Sequence, residues 1–188
     1  ITPSVVTVTN TVGCTNIITR TWTANDGCGN STNRSQVITV VDTTAPAVTT
    51  DQGADATIEC PATPSFSAPV FTDDCVGVIT PSVVTVTNTV GCTNIVTRTW
   101  TANDGCGNST NRSQVITVID TTPPTIICTN KTVECGSAWT FDAPTVSDTC
   151  GSVTVIILST TTNFIGHCGN TFDATRAWKA ADDCGNTN

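Results

Sequence analysis

Hydrophobic and polar residues alternate with a period of two along much of the chain, which is the pattern of a β-strand with one buried face. Around Val96, Trp100 and Ala102 the apolar side chains fall on one face, and Thr97 and Thr99 fall on the other. Turn sequences rich in Gly, Asn and Asp, such as VGCT and NDGCGN, separate these segments. The pattern predicts an all-β fold, and no segment shows the period of a helix.

The sequence repeats with a period of 78 residues. Residues 1–44 recur at 79–122 with only two changes. A diverged third copy follows, because the run TRAWKAADDCGN near the C-terminus matches TRTWTANDGCGN in the copy before it. We therefore divide the chain into the C-terminal half of a first repeat at 1–44, a complete second repeat at 45–122, and a third repeat at 123–188 that lacks its last strand.

Each repeat is expected to form an immunoglobulin-like β-sandwich, because five to seven short strands in about 78 residues are typical of that fold. Trp100 is the expected core anchor, with Trp22 and Trp178 as its counterparts. Prolines in DTTAP and DTTPP, between the repeats, end the preceding strand and predict short, semi-stiff joints. In the complete repeat we predict strands at about 48–60, with a break at 51–53, and at about 65–71, 78–89, 94–102 and 111–119.

Charge and hydropathy exclude several classes of partner. The net charge is −8, the pI is about 4.2, and Lys and Arg together number 7, so the chain has no basic surface for nucleic acid or an anionic membrane. Its apolar runs are too short to insert into a bilayer. Because the chain opens within the repeat pattern at Ile1, we interpret it as an internal fragment of a longer protein.

Eleven cysteines are the most distinctive feature of the composition. Four recur in each repeat, and in the complete repeat they are Cys60, Cys75, Cys92 and Cys106. A zinc site is disfavoured because the chain has no C-x-x-C pair and only one imidazole, that of His167. The cysteines therefore predict disulfides and an oxidising, extracellular setting.

Strand order suggests which cysteines pair. Cys92 and Cys106 lie at opposite ends of one strand, roughly 30 Å apart, whereas a disulfide tolerates only about 7 Å between Cα atoms. Following the strands up and down places Cys60 and Cys92 at one pole of the sandwich and Cys75 and Cys106 at the other. We predict the disulfides Cys60–Cys92, Cys75–Cys106, Cys135–Cys168 and Cys150–Cys184, which leave Cys14, Cys28 and Cys128 without a partner in the chain.

Cys128 is an additional cysteine, because it aligns with Thr50 of the complete repeat. Two explanations stay open at this point. Its partner lies beyond Asn188, in the missing last strand of the third repeat, or it is a buried free thiol.

The sequence offers little catalytic chemistry. His167 occurs only in the diverged repeat, so no Ser/His/Asp arrangement recurs, and we expect neither enzymatic activity nor an organic cofactor. Calcium is the one cofactor that the residues suggest, because Asp-rich joints of tandem extracellular domains bind Ca²⁺. The candidate oxygen donors are Asp73, Asp74, Asp104 and Asp120.

The runs TRTWTANDGCGN and QVITVIDTTPP, with ECP and DDCVG before them, resemble the HYR-like (hyalin-repeat-like) domains of giant surface adhesins in Bacteroidetes bacteria. The resemblance implies immunoglobulin-like sandwiches in long arrays on a protein exported across the outer membrane, as in the adhesin filaments of flavobacterial gliding. In that family an extra first-strand cysteine goes with one in the last strand, which favours a partner for Cys128 beyond Asn188. The DTT motifs also resemble an O-glycosylation motif of these bacteria, which implies sugar sites at Thr43 and Thr121.

The sequence thus predicts a non-enzymatic structural module in the stalk of a cell-surface filament attached to the outer membrane. Its expected partners are the neighbouring repeats, surface glycans and other filament chains. The alternative is an array in which each repeat binds a glycan through exposed turns.

Overall fold

The computed structural model describes residues 1–164 and 169–188, and every regular element in them is a β-strand. The described part contains no helix with the length and apolar character needed to cross a membrane. These residues form two compact units whose boundaries pass through the second repeat, so the units do not coincide with the three sequence repeats. The first unit comprises 1–53, 66–85 and 98–114, and the second comprises 54–65, 86–97 and 115–188.

The first repeat forms a three-stranded antiparallel sheet in the order β1-β2-β3. Its register places Trp22 opposite Val5 on one side and Arg34 on the other. A two-residue turn joins the first two strands, and Gly13 occupies it with φ of 58°, a left-handed conformation that side chains resist. This turn brings Cys14 to the tip of the hairpin. The strands are β1 (Ser4–Val12), β2 (Thr15–Asn25) and β3 (Ser31–Val41).

The second repeat contains seven strands in two sheets, of orders β5-β10-β9-β8 and β4-β6-β7. The expected all-β, immunoglobulin-like sandwich is confirmed. The predicted segment at 78–89 is divided in two at Pro81, which cannot donate a ladder hydrogen bond. The strands are β4 (Ala47–Thr50), β5 (Ala56–Glu59), β6 (Val70–Asp73), β7 (Gly77–Ile79), β8 (Ser82–Val90), β9 (Thr93–Asn103) and β10 (Ser109–Ile119).

The core of the second repeat lies around Trp100, which is only 3% exposed. Phe71 and Ile79 from the opposite sheet pack with Trp100 and Ala102, and Phe66 meets the indole edge-to-face with ring centroids 6.4 Å apart. Trp100 is thus the core residue that the alternation predicted. Apolar burial of this kind is the main stabilising term available to so small a sandwich.

Arg98, on the same face of β9, contributes a contact that the sequence did not reveal. Its guanidinium carbon lies 4.3 Å from the centroid of the Phe66 ring, a cation–π geometry, and its Nε donates to Thr85 Oγ1 at 3.0 Å. The third repeat reproduces this pair, with Arg176 at 4.3 Å from the ring of Phe141. The cation–π pair is therefore a structural feature of the repeat.

The third repeat has four described strands, β11 (Thr125–Ile127), β12 (Thr145–Ser147), β13 (Val153–Asn163) and β14 (Asp173–Asp182), which pair as β11-β12 and β13-β14. Trp178 meets Phe141 edge-to-face, as Trp100 meets Phe66, but it is only half-buried. Trp22 is also half-buried, because the described first repeat supplies no opposing sheet. The prediction of a buried indole is therefore correct for Trp100, whereas it overestimates the burial of Trp22 and Trp178.

We expect Trp100→Ala to destabilise the protein by about 3–5 kcal/mol, because it removes a buried aromatic side chain and leaves a cavity. Urea unfolding followed by far-ultraviolet circular dichroism measures the change. Val84→Ala is the control, because Val84 is 61% exposed and its truncation should change the free energy of unfolding by less than about 0.5 kcal/mol. Similar losses for the two variants would contradict the assignment of the core.

Candidate functional site

The candidate chemistry of the chain is concentrated at two joints, where one repeat leads into the next. The first joint comprises the hairpin turn at Cys14, the linker 42–46 and the loop 103–108 of the second repeat, together with Asp73 and Cys75. The second joint repeats this arrangement one period later. It comprises the turn at Cys92, the linker 120–124 and the loop 181–186, together with Glu59, Cys60, Asp148 and Cys150.

A disulfide crosses the first joint and two disulfides cross the second. Cys14 of the first repeat is bonded to Cys106 of the second, with Cα atoms 5.4 Å apart. At the second joint Cys92 is bonded to Cys184, with Cα atoms also 5.4 Å apart, and Cys60 is bonded to Cys150 at 6.1 Å. These separations suit a disulfide. Each bond therefore joins one repeat covalently to the next.

The predicted disulfides within a single repeat are wrong. Cys60 bonds to Cys150 in place of Cys92, and Cys106 bonds to Cys14 in place of Cys75. Cys150 and Cys184, which were predicted to bond to each other, bond separately to Cys60 and Cys92. Cys14, expected to lack a partner, has one.

The poles themselves were predicted correctly, and the error lies in the choice of partner. Cys60 and Cys92 line one cavity, as expected for one pole of the sandwich, but Cys150 and Cys184 of the next repeat line the same cavity. Each cysteine therefore has candidate partners in its own repeat and in the next, and the predicted pairs were all chosen within one repeat.

Among the described residues, four cysteines carry free thiols. Cys28 and Cys128, which were expected to lack a partner in the chain, are exposed, and so are Cys75 and Cys135. Cys168, predicted to pair with Cys135, and His167 lie outside the described residues.

A carboxylate holds each cysteine loop in shape. Asp104 Oδ1 accepts hydrogen bonds from the backbone N–H of Cys106 at 2.6 Å and of Asn108 at 3.1 Å, and its Oδ2 accepts from the Asn108 side chain at 2.6 Å. Asp182 holds the loop of the third repeat in the same way, with its Oδ1 accepting from the N–H of Cys184 at 2.8 Å. Aspartate therefore sets the position of the cysteine that bonds across the joint.

Burial of Asp104 desolvates its carboxylate and by itself raises the pKa. The hydrogen bonds from the Asn108 side chain and from the backbone of Cys106 and Asn108 outweigh this effect, so the pKa lies below its ordinary value of 3.8. A carboxylate whose pKa is lowered by folding stabilises the fold above its ordinary pKa, and this contribution is lost as the pH falls through the folded-state value. The loop is therefore fully stabilised at neutral pH.

The same loop fixes the linker between the repeats. Asn108 Nδ2 also lies 3.4 Å from the backbone oxygen of Asp42, and Thr110 Oγ1 donates to the backbone oxygen of Pro46 at 2.6 Å. At the second joint Asn186 Nδ2 donates to Asp120 O at 3.2 Å, and Asn188 Nδ2 donates to the backbone oxygen of the buried Pro124 at 3.1 Å. The linkers, predicted to be semi-stiff, are hydrogen-bonded to the repeat that follows.

Glu59 adds a further set of bonds at the second joint. Its Oε1 accepts from the backbone N–H of Thr121 at 2.6 Å and from Thr122 Oγ1 at 3.0 Å, and its Oε2 accepts from Thr121 Oγ1 at 3.1 Å. These bonds, chiefly that from the Thr121 backbone, hold the pKa of Glu59 below its ordinary value. The hydroxyl of Thr121 is therefore engaged with Glu59, whereas O-glycosylation at Thr43 and Thr121 stays a prediction.

Three carboxylates converge at the second joint. Oxygen atoms of Asp120, Asp148 and Asp182 lie within 4.8 Å of one another, and Asp120 Oδ2 is buried without a hydrogen-bond partner among the described residues. At the first joint the ligand atoms of Asp42, Asp73 and Cys75 lie within 4.8 Å of one another, and so do those of Asp42, Asp104 and Cys106. Asp42 Oδ2 is also buried, with no hydrogen-bond partner among the described residues.

Three of the four aspartates predicted to bind calcium are divided between the two joints. Asp73 and Asp104 belong to the first joint and Asp120 to the second, where it meets Asp148 and Asp182, which the prediction did not include. Asp74 belongs to neither group among the described residues. Hard oxygen donors of this kind suit Ca²⁺, and calcium binding stays a prediction.

Residues 48–118 match the family model of the HYR-like domain with 4 cysteines. A comparison with curated proteins finds no match for the chain. The match confirms the HYR-like part of the resemblance for this segment, and HYR-like domains are non-catalytic repeat modules. Together with the disulfides it indicates an extracellular module of structural or adhesive type.

Peptide mapping without reduction should recover three cross-linked pairs, Cys14–Cys106, Cys60–Cys150 and Cys92–Cys184. Free thiols are alkylated before digestion, which prevents exchange between disulfides. A Cys60–Cys92 peptide in the monomer would overturn the joint described above. The control is the reduced sample, from which all three pairs should be lost.

We propose that Ca²⁺ binds the three carboxylates of the second joint, and we expect about 10 mM CaCl₂ to stabilise the protein by about 1–3 kcal/mol and to raise its Tm. Asp120→Asn should abolish this response, because it removes a charge and a ligand from the cluster. Asp74→Asn is the matched control and should respond like the wild type. A Tm that is the same in CaCl₂ and in EDTA would exclude the site.

Proposed function

We propose that this chain is a segment of the stalk of a long cell-surface adhesin filament, of the kind that bacteria use for attachment and gliding. The observation that carries the proposal is that each disulfide joins neighbouring repeats. A load-bearing filament gains resistance to extension at the places where tandem domains otherwise flex.

The three disulfides overlap along the sequence, and this overlap shortens the covalent path through the chain. The path from Cys14 crosses a disulfide to Cys106, follows the backbone for 14 residues to Cys92, and crosses a second disulfide to Cys184. Fully extended, these 14 residues and two bonds span about 60 Å, whereas the 170 residues of the reduced chain span about 600 Å. The oxidised stalk is therefore almost inextensible even when its domains unfold.

The linkers support the same function at low force. Hydrogen bonds from Asn108 and Thr110 hold the first linker to the repeat that follows it, and Asn186 and Asn188 hold the second. Proline at both joints removes further backbone freedom. Hydrogen bonds to the following repeat therefore fix each linker, and the disulfides that cross the joint add a covalent restraint.

The alternative, a glycan-binding array, has less support. Sugar platforms need an exposed aromatic ring, and the exposed indole of the third repeat, Trp139, is replaced by Pro64 at the equivalent position of the second repeat. The indole that does recur, Trp100, is buried in the second repeat. A sugar site common to the repeats thus has no aromatic residue to supply its platform in the second repeat.

Force spectroscopy on the 188-residue chain, held by tags at its two ends, tests the stalk. The distance between Cys14 and Cys184 should reach no more than about 60 Å in the oxidised protein before a covalent bond breaks, and about 600 Å in the reduced protein. A double variant, Cys92→Ser with Cys184→Ser, lengthens the covalent path to the 78 residues from Cys106 to position 184, about 270 Å. Cys128→Ser is the control and should behave like the wild type, because Cys128 is not bonded. Extension of the oxidised chain to several hundred ångströms would exclude the proposal.

A further inference from the structure

We propose that the first joint binds a divalent metal ion that prefers sulfur ligands, such as Zn²⁺, through Asp42, Asp73 and the free thiol of Cys75. One ligand atom from each of these side chains lies within 4.8 Å of the other two. Asp42 comes from the first repeat and begins the linker, whereas Asp73 and Cys75 belong to the second repeat. The ion therefore ties the linker to the repeat that follows it, and this role deepens the proposed stalk.

Each carboxylate keeps one oxygen to which no described residue donates a hydrogen bond. Asp42 Oδ1 accepts from the backbone N–H of Thr44 at 3.1 Å, and Asp42 Oδ2 is buried without a partner. Asp73 is only 7% exposed, and both hydrogen bonds that it accepts, from the N–H groups of Cys75 and Val76, go to Oδ1. A buried carboxylate oxygen without a partner is unfavourable, and a bound cation removes that penalty.

The neighbouring group of Asp42, Asp104 and Cys106 does not offer the same ligands. Asp104 uses both of its oxygens within its own loop, because Oδ1 accepts from backbone N–H groups and Oδ2 accepts from the Asn108 side chain at 2.6 Å. The sulfur of Cys106 is part of a disulfide, and the thiolate is the form of cysteine that binds metals. The group that contains the free thiol is therefore the metal site of this joint.

The thiolate determines which metal the site prefers. Zn²⁺ is bound in proteins by Cys sulfur at about 2.3 Å and by Asp oxygen at about 2.0–2.2 Å, whereas Ca²⁺ takes about six to eight oxygen ligands. At the second joint the cysteine equivalent to Cys75 is Cys150, which is bonded to Cys60, so the group there consists of carboxylates alone. The two joints therefore differ in metal preference, because only the first offers a thiolate among the described residues.

The geometry of the first joint suits a tetrahedral ion. Bonds of about 2.0–2.3 Å hold tetrahedral ligand atoms roughly 3.5 Å apart, and rotation of the exposed Cys75 side chain can close the remaining distance. Asp42 and Cys75 also line a cavity of about 150 Å³, which has room for the ion and for a water as its fourth ligand. The Cys75 thiol releases its proton to the buffer as the metal–sulfur bond forms.

The tertiary structure assembles this site from parts that lie apart in the sequence. Zinc was disfavoured from the sequence because the chain has no C-x-x-C pair and a single imidazole. In the fold Asp42 directly follows β3, whereas Asp73 ends β6 and Cys75 lies in the turn after it. The spacing along the chain gives no indication that these two strand ends meet.

The test uses the full chain with its three disulfides and with Cys75 as its only free thiol. The matched control keeps Cys28 in place of Cys75. The N–H of Cys28 donates to Asp26 Oδ1 at 2.8 Å, so Cys28 also has a carboxylate beside it, but it belongs to no group of three ligands among the described residues. In each variant Ser replaces the other cysteines that are free or outside the described residues, from the set Cys28, Cys75, Cys128, Cys135 and Cys168.

Co²⁺ is the probe, because a cobalt–thiolate bond gives a charge-transfer absorption band in the near ultraviolet. We expect the Cys75 variant to bind one Co²⁺ per chain with this band. Zn²⁺ should displace the cobalt, because Zn²⁺ binds such sites more tightly, and a large excess of Ca²⁺ should leave the band unchanged. The Cys28 control should give no saturable band.

Asp42→Asn, made in the Cys75 variant, tests whether the carboxylate is a ligand. Asparagine keeps an oxygen that accepts from the N–H of Thr44, so the linker should retain its conformation. We expect Co²⁺ binding to weaken by at least about tenfold, the smallest loss that is usual even for a residue that only orients a ligand. Circular dichroism and peptide mapping establish that each variant keeps its fold and its three disulfides.

Absence of the charge-transfer band in the Cys75 variant would overturn the inference. Equal affinity in the Cys28 control, or in the Asp42→Asn variant, would also overturn it, because the thiol alone would then account for binding. Failure of Co²⁺ to bind would leave the three disulfides, and therefore the proposed stalk, unaffected. Failure of the force experiment would instead exclude the stalk and leave the metal site in place.

Discussion

The hydrogen bonds that Asp104 accepts are the interaction on which the first joint depends, and those of Asp182 have the same role at the second. One oxygen of Asp104 binds the backbone of Cys106 and Asn108 and so shapes the loop, and the other binds the Asn108 side chain. That side chain in turn reaches the linker at Asp42. A single carboxylate therefore positions both the sulfur that crosses the joint and the backbone that leads into the next repeat.

This arrangement compensates for the modest core of a small sandwich. The buried side chains of the second repeat are concentrated around Trp100, whereas valines of the edge strand β8 remain more than half exposed. Covalent and polar contacts at the joints supplement this core, as expected for domains of fewer than about 80 residues. Stability is thus shared between the interior of each repeat and its junctions.

The sequence was sufficient to predict the sandwich, the burial of Trp100 and most of the strands, because period-two alternation reports directly on which side chains face the core. The strand predicted at about 65–71 is wrong in its bounds, because β6 begins only at Val70 and ends at Asp73. The sequence also placed Cys60 and Cys92 at one pole correctly. It could not identify their partners, because the pole of one repeat meets the pole of the next, and the pattern within one repeat contains no information about that contact. A pairing search across adjacent repeats would have included Cys60–Cys150.

Two other features could not be predicted from local sequence patterns. The cation–π contact between Arg98 and Phe66 joins residues from different segments of the chain. The alternation along β9 indicates only on which face of the strand Arg98 lies. The carboxylate group of Asp120, Asp148 and Asp182 likewise joins three distant segments, so its composition depends on the tertiary structure. The equivalent positions at 66 and 141, both Phe, were the one signal in the sequence that could have indicated the first of these contacts.

The overlap of the disulfide loops also determines what happens when the backbone is cut. Any single peptide bond between Cys14 and Cys184 is enclosed by at least one disulfide, and between Cys92 and Cys106 it is enclosed by all three. A protease that cleaves once in this region leaves the two pieces attached to each other. Outside the cell, where proteases are common and reductants are scarce, such a chain keeps its continuity after damage that would sever an ordinary string of domains.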